Sequence, residues 1–185
     1  MNIRLRDLLL YVFGVVFILS CESKKSGQQS ENKKSLIKRD TITSYFPERR
    51  EVHITDTILD PENGFKVLIK KTSLKNKFVV QSFEADNNEV QKHIYYDNSI
   101  LVKVFSDNKV LLDTLLTKDK LEQIGDRDFL KQAILYNAWI DSFDKDKQEV
   151  VVLFSVNVPD TDWAYDFSII VSKDGRKEIL LDRIE

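Results

Sequence analysis

The chain is poor in the residues that staple, kink or catalyse. It has a single cysteine, two histidines, one methionine, three prolines and five scattered glycines among 185 residues. One cysteine excludes an intramolecular disulfide, so stability has to come from burial. One cysteine and two histidines cannot make a Cys/His metal cluster. Glycines that lie singly leave no phosphate-cradling loop, and neither a Gly-x-Ser-x-Gly elbow nor a His-Glu-x-x-His helix is present. The formal net charge is −2, with no basic excess. Subtracting +1 for Met1 to Asp7 and +2 for Glu22 to Ser35 leaves about −5 on the remainder, which argues against nucleic acid as a partner.

There is one uncharged apolar run, the 12 residues Leu8 to Leu19, preceded by Arg4 and Arg6. As a helix it reaches about 18 Å, short of the roughly 30 Å hydrocarbon core. A cleaved export signal fits better than a membrane span. The run ends Ile18-Leu19-Ser20-Cys21, an aliphatic residue three before the cysteine and a small one just before it. This resembles the lipobox of bacterial lipoproteins, which implies a signal peptide over residues 1–20 and lipidation of Cys21. Acyl chains at about 0.8 kcal/mol per buried methylene would then hold the protein on a membrane.

Residues 21–35 contain, after the cysteine, no aliphatic or aromatic side chain and cannot offset the ordering entropy of a fold. They read as a flexible polar tether with a root-mean-square span of about 20 Å. Residues 36–185 then form one domain, long enough for a real core.

Within it, apolar residues recur with a period of two. Leu36 to Phe46 is ambiguous between short helix and extended segment. Glu51 to Leu59 reads as a strand with Val52, Ile54 and Ile58 on one face and His53, Thr55 and Thr57 on the other, His53 facing outward. Asp60-Pro61-Glu62-Asn63-Gly64 has hairpin chemistry. Strands are expected at Phe65 to Ser73, Phe78 to Ala85, Glu89 to Tyr96, Ser99 to Ser106 and Val110 to Leu116. Turns at Asp86-Asn87-Asn88, Asp97-Asn98 and Asp107-Asn108 separate them as an antiparallel meander. Asp126 to Asn137 predicts the main helix, with Phe129, Leu130, Ala133 and Ile134 as its apolar stripe; Leu121 and Ile124 deliver the chain to it. Ala138 to Phe143, Glu149 to Val158, Trp163 to Ser172 and Lys177 to Leu181 complete the strands, the last pair across Lys173-Asp174-Gly175-Arg176. The expected class is therefore α+β, a mainly antiparallel sheet of about nine or ten strands with one covering helix. An open β-barrel or β-sandwich is the alternative.

Chemistry concentrates in one loop, Pro159 to Asp166, where Asp160, Asp162 and Asp166 accompany Trp163 and Tyr165. The carboxylates could ligate an ion and the rings could stack on a sugar. Ala164 sits where a calcium loop needs an oxygen ligand, and no glycine or closing glutamate follows. Local turn hydrogen bonds and core packing are the competing explanation for the same residues. His53 and His93 fall on different strands with no partner fixed by spacing, and no catalytic residue, metal or cofactor is nominated.

The lipobox, the tether, the helix Phe129-Leu130-Lys131-Gln132-Ala133-Ile134-Leu135, Pro159-Asp160-Thr161-Asp162 and the Asp174-Gly175 turn together resemble a family of uncharacterised lipoproteins of Bacteroidetes, a domain of unknown function. That resemblance implies a bacterial cell envelope location and lends no activity. Its expected partners are a membrane through the N-terminal lipid and an envelope protein or glycan. Three functions follow: a non-catalytic envelope lipoprotein binding a protein, glycan or small ligand; a periplasmic inhibitor or interaction module; and a hydrolase of glycan or cell wall using the Asp160 to Asp166 loop. The last requires two carboxyls facing across a cleft.

Overall fold

The computed structural model describes residues 40–85, 89–122 and 125–182. The expected signal peptide, Cys21, the tether, the turn Asp86-Asn87-Asn88 and Ile124 lie outside the described residues.

Nine strands form two sheets: β1 (Thr41–Phe46), β2 (Val52–Asp60), β3 (Phe65–Glu84), β4 (Val90–Ser106) and β5 (Lys109–Leu116) in sheet A, and β6 (Ile134–Asp144), β7 (Glu149–Asn157), β8 (Ala164–Ser172) and β9 (Lys177–Asp182) in sheet B. Sheet A runs β1-β4-β3-β2, with β5 also on β4; sheet B runs in chain order. Neither closes into a barrel. The inner faces share one core, in which Val67, Ile69, Val102 and Val104 of sheet A meet Val150, Val152, Phe154, Phe167 and Ile169 of sheet B. The phenyl rings of Phe154 and Phe167 stack with centroids 5.3 Å apart. The period-two run of β7 predicts this burial directly.

The α+β expectation is corrected. Among the described residues the helical content is a 3-10 turn, Lys118–Leu121, and one short helix, α1 (Arg127–Gln132), so the fold is a two-sheet β architecture with no covering helix. Asp126 caps α1 as expected, its carboxylate accepting from the Asp128 and Phe129 amides at 2.7 and 3.1 Å. The helix stops at Ala133, and Ile134 to Asn137 enter β6. The cause is tertiary: Asp97 accepts from the Leu135 amide at 2.8 Å and Asn98 donates to the Leu135 carbonyl at 2.7 Å. Both backbone groups that would continue the helix ladder are taken by β4.

The same bonds explain why Asp97-Asn98 is not a turn. Both residues are buried within β4, and the two strands expected on either side are one 17-residue strand. Likewise β3 is one continuous strand, its pairing with β4 interrupted by a register irregularity between Ser73 and Phe78. The Asp60 to Gly64 and Asp107-Asn108 turns form where expected, Gly64 in the left-handed region at φ 59°.

In β2 the faces are reversed. A bulge between Ile58 and Asp60 shifts the pairing by one residue, and a one-residue shift exchanges the faces of a strand. His53, Thr55 and Thr57 therefore lie opposite Lys71, Ile69 and Val67 on the side of the core-facing residues of β3, where Thr57 is half-buried while His53 and Thr55 stay exposed. Val52, Ile54 and Ile58 point out and are 56%, 61% and 62% exposed. The ambiguous Leu36 to Phe46 segment supplies β1, which pairs with β4 in parallel, unlike the meander predicted for this part of the chain.

Candidate functional site

Sheet A outgrows the core. Beyond the Ser73 to Phe78 irregularity, the outer parts of β3 and β4 are flanked by β1. Alternation along Val90 to Tyr96 puts His93 and Tyr95 on one face and Ile94 and Tyr96 on the other. The register sets Phe46 beside Tyr95 and Tyr45 beside Ile94. The Phe46 ring stacks on Tyr95 at 4.8 Å, and His93 sits edge-on to Phe46 and Phe83 at 5.1 and 5.2 Å. On the opposite face Tyr45 stacks on Tyr96 at 6.2 Å.

Onto the first of these faces comes the β7–β8 loop. Thr161 Oγ1 donates to the Val158 carbonyl at 2.9 Å and accepts from the Trp163 amide at 3.1 Å, closing the loop locally. Within it Asp160 adopts φ 59°, unusual for a residue with a Cβ, and carries its carboxylate to β4. Tyr95 Oη donates to Asp160 Oδ2, and His93 Nδ1 lies 3.3 Å from the same oxygen and 3.2 Å from Tyr95 Oη. Burial, followed by the hydrogen bond to and the charge of Asp160, pushes the Tyr95 hydroxyl well above the usual phenol range.

Next to this cluster is a cleft of about 340 Å³. Its walls are Phe46 and Pro47 at the end of β1, Tyr95 and Tyr96 of β4, and Ile134 and Tyr136 of β6. Lys71 and Ser73 of β3, Asn98 of β4 and the exposed Glu51 add polar groups. Lys71 Nζ donates to the Tyr136 carbonyl at 3.3 Å and lies 5.8 Å from the centroid of its ring. Asn98 is 6% exposed; its Oδ1 accepts from Ser73 Oγ at 3.1 Å while its amide nitrogen holds the Leu135 carbonyl.

Behind Asn98 the buried Asp97 accepts from the Asn98 and Leu135 amides at 2.9 and 2.8 Å. Lys118 Nζ is 3.9 Å from Asp97 Oδ2 and donates to the Ala133 carbonyl at 2.6 Å. Burial raises the Asp97 carboxyl above its usual range, against those bonds and the Lys118 charge. Burial also lowers the Lys118 ammonium, against Asp97. The polar groups beneath the cleft thus hold one another and fix its shape.

The residues singled out in the Pro159 to Asp166 stretch part company. Asp160 joins His93 and Tyr95; Asp162 is exposed. Trp163 and Tyr165 pack on Phe129 of α1, with centroids 5.1 and 4.3 Å away. Asp166 lies in β8 opposite Ser155. Among the described residues no three His, Cys, Asp or Glu side chains come together as a metal-binding group. His53 lies apart, beside Trp139 in a separate depression. What the sequence did not disclose is the meeting of His93 and Tyr95 with Asp160, more than sixty positions away. Its only local trace is the alternation of His93-Ile94-Tyr95-Tyr96 with too many rings for a solvent face.

The profile of a family described as Domain of unknown function (DUF4738) matches residues 20–179. The chain belongs to that family. No curated protein matches it.

Proposed function

We propose that this chain, a member of the DUF4738 family, is a non-catalytic lipoprotein of the bacterial cell envelope that binds a ligand presenting a flat, largely apolar face, a glycan ring being the leading form. The aromatic cleft carries this reading. About 340 Å³ is at the small end of ligand pockets, and ring walls with a few placed polar groups suit such a ligand. Asp160 is held by the Tyr95 hydroxyl and lies against His93 Nδ1, Asp162 is exposed and Asp166 lies in β8. This dispersal weighs against the hydrolase reading, which needs two carboxyls of the Asp160 to Asp166 loop facing each other across a cleft.

Attachment rests on Arg4, Arg6, the short apolar run and Ser20-Cys21, with the polar residues to Ser35 as spacer. Bacteroidetes origin rests on resemblance alone. Replacing Cys21 by Ser should move the protein from the membrane to the soluble fraction; sedimentation unchanged from wild type would refute the anchor.

The cleft is tested by titrating a panel of mono- and oligosaccharides into the purified full-length protein by calorimetry. Saturable binding is expected, weakened about two- to tenfold by Tyr96→Ala, because one stacked ring contributes about 0.5–1.5 kcal/mol. Trp163→Ala, packed on α1 away from the cleft, should leave it unchanged. Equal affinity in wild type and Tyr96→Ala would overturn the assignment.

A further inference from the structure

The depression beside Trp139 and the aromatic cleft belong to one trough. Lys71 lines both, and they hold about 330 and 340 Å³. Ser73 lies in the cleft, Lys71 at the junction and Ile69 in the depression, alternate residues of β3 that form a continuous floor. Pairing with β2 sets His53 beside Lys71 and Thr55 beside Ile69. Along another wall, β6 passes from Tyr136 in the cleft to Trp139 in the depression. From Ser73 to Ile69, at about 3.3 Å per residue, the floor runs about 13 Å, more than one sugar ring fills. The two ends differ in how their polar groups are used. In the cleft Ser73 bonds to Asn98, which also holds the Leu135 carbonyl. In the depression the exposed side chains of His53, Thr55 and Asn137 hydrogen-bond to no other described residue. Trp139 is 37% exposed and meets no other aromatic ring among the described residues. Lys71 has three N–H donors and one protein acceptor, the Tyr136 carbonyl. A bare ring among uncommitted donors and acceptors matches the apolar face and the hydroxyls of a sugar.

We infer that the ligand of the cleft is an extended, β-linked oligosaccharide and that the depression at Trp139 is its second subsite. Length and linkage are thereby added to the glycan reading of the cleft, on which this rests. One sugar ring lies against Phe46 and Tyr96, a later one over the Trp139 indole, and Lys71 donates to hydroxyls between them. His53, Thr55 and Asn137 meet the hydroxyls of the later ring. The trough follows extended strands, which suits an extended chain; an α-linked glucan coils and leaves such a track. An added peptide strand is the competing occupant. Asp56 of β2 and Asp141 and Asp144 of β6 guard those two edges with charge, and two register irregularities interrupt β6, which weighs against strand addition there.

The test titrates the full-length protein with two β-linked series, glucose to cellohexaose and N-acetylglucosamine to its hexamer. In at least one series, affinity should rise about tenfold or more from monomer to hexamer. Trp139→Ala should weaken hexamer binding about two- to tenfold and leave monomer binding unchanged. His53→Ala, which removes only an exposed side chain, should act in the same direction. In Trp163→Phe, Trp139 is the one remaining tryptophan, and its emission should change with the hexamer and not with the monomer. Monomer binding that is weakened by Tyr96→Ala but gains nothing with chain length would overturn the second subsite and leave the cleft standing. Hexamer binding unaffected by both Trp139→Ala and His53→Ala would do the same. No saturable binding by either series would overturn it too, the cleft then being judged by the wider panel of sugars. Equal affinity for maltohexaose would overturn the linkage. A peptide of alternating threonine and valine that binds and slows amide exchange over β2 would assign the trough to an added strand and overturn the inference.

Discussion

Removing the Asp97 carboxylate should unlock the joint between the two sheets. Asp97 is 1% exposed and satisfies the amides of Leu135 and Asn98, with the Lys118 ammonium 3.9 Å away. In Asp97→Ala the Leu135 amide loses its acceptor in a buried place, at about 1–3 kcal/mol, and Lys118 loses its counter-charge. A total near 3 kcal/mol follows, equivalent to a melting temperature about 6–12 °C lower for a domain of this size. Asp97→Asn keeps an acceptor oxygen and should cost about 1 kcal/mol. The two variants also differ in pH dependence. Burial raises the folded-state pKa of Asp97, so its contribution is complete below the unfolded carboxylate pKa and is lost as pH rises through the folded value. Asp97→Asn, which cannot ionise, should therefore gain on wild type as pH is raised from about 4 to 8, by at most about 1.4 kcal/mol per pH unit. Denaturant unfolding followed by circular dichroism at several pH values measures both. The reasoning is refuted if Asp97→Ala lies within about 0.5 kcal/mol of wild type, or if the Asn variant loses ground as pH rises.

Three further outcomes follow from the same packing. Phe154→Ala, fully buried against Phe167, should cost about 3–5 kcal/mol by denaturant unfolding. Ile54→Thr lies on the outward face of β2 and should stay within about 0.5 kcal/mol of wild type; a loss above about 2 would mean that face is covered. Tyr95→Phe removes the bond to Asp160, whose side chain is 38% exposed, so global stability should fall by less than about 1 kcal/mol. Exchange of the amides in residues 158–163 should speed up all the same, and unchanged exchange there would show that the loop is held by other contacts.

Features whose causes are local were legible in the sequence. The Asp60 to Gly64 and Asp107-Asn108 turns carry their own left-handed residues, the Asp126 cap sits two and three residues from the amides it serves, and β7 alternates without interruption. The misreadings have distant causes. Phe129, Leu130, Ala133 and Ile134 satisfy helical spacing, yet the chain leaves the helix because β4 takes both backbone groups of Leu135. Asp97-Asn98 has turn composition, yet its polar groups are used to join sheets. Alternation in β2 defines two faces without saying which is inward, and a bulge of one residue decides it. For the candidate site, the Pro159 to Asp166 stretch disclosed Asp160 but neither of its partners, because nothing local to the chain ties residue 160 to residues 93 and 95.

The parallel pairing of β1 with β4 bears on how the molecule comes apart. Thr41 pairs with Val90, so the contact closes a loop of nearly fifty residues. Such contacts form after the hairpins they span. β1 covers only the outer part of β4, where Tyr45 and Phe46 remain half in water, whereas Ile100, Val102 and Val104 are sealed between the sheets. The opening free energy along this single strand therefore falls from the global value at its inner end to a small one beside β1. The outer end of β4 beside β1 is thus less costly to rearrange than the part sealed between the sheets, and it can loosen with little effect on the core.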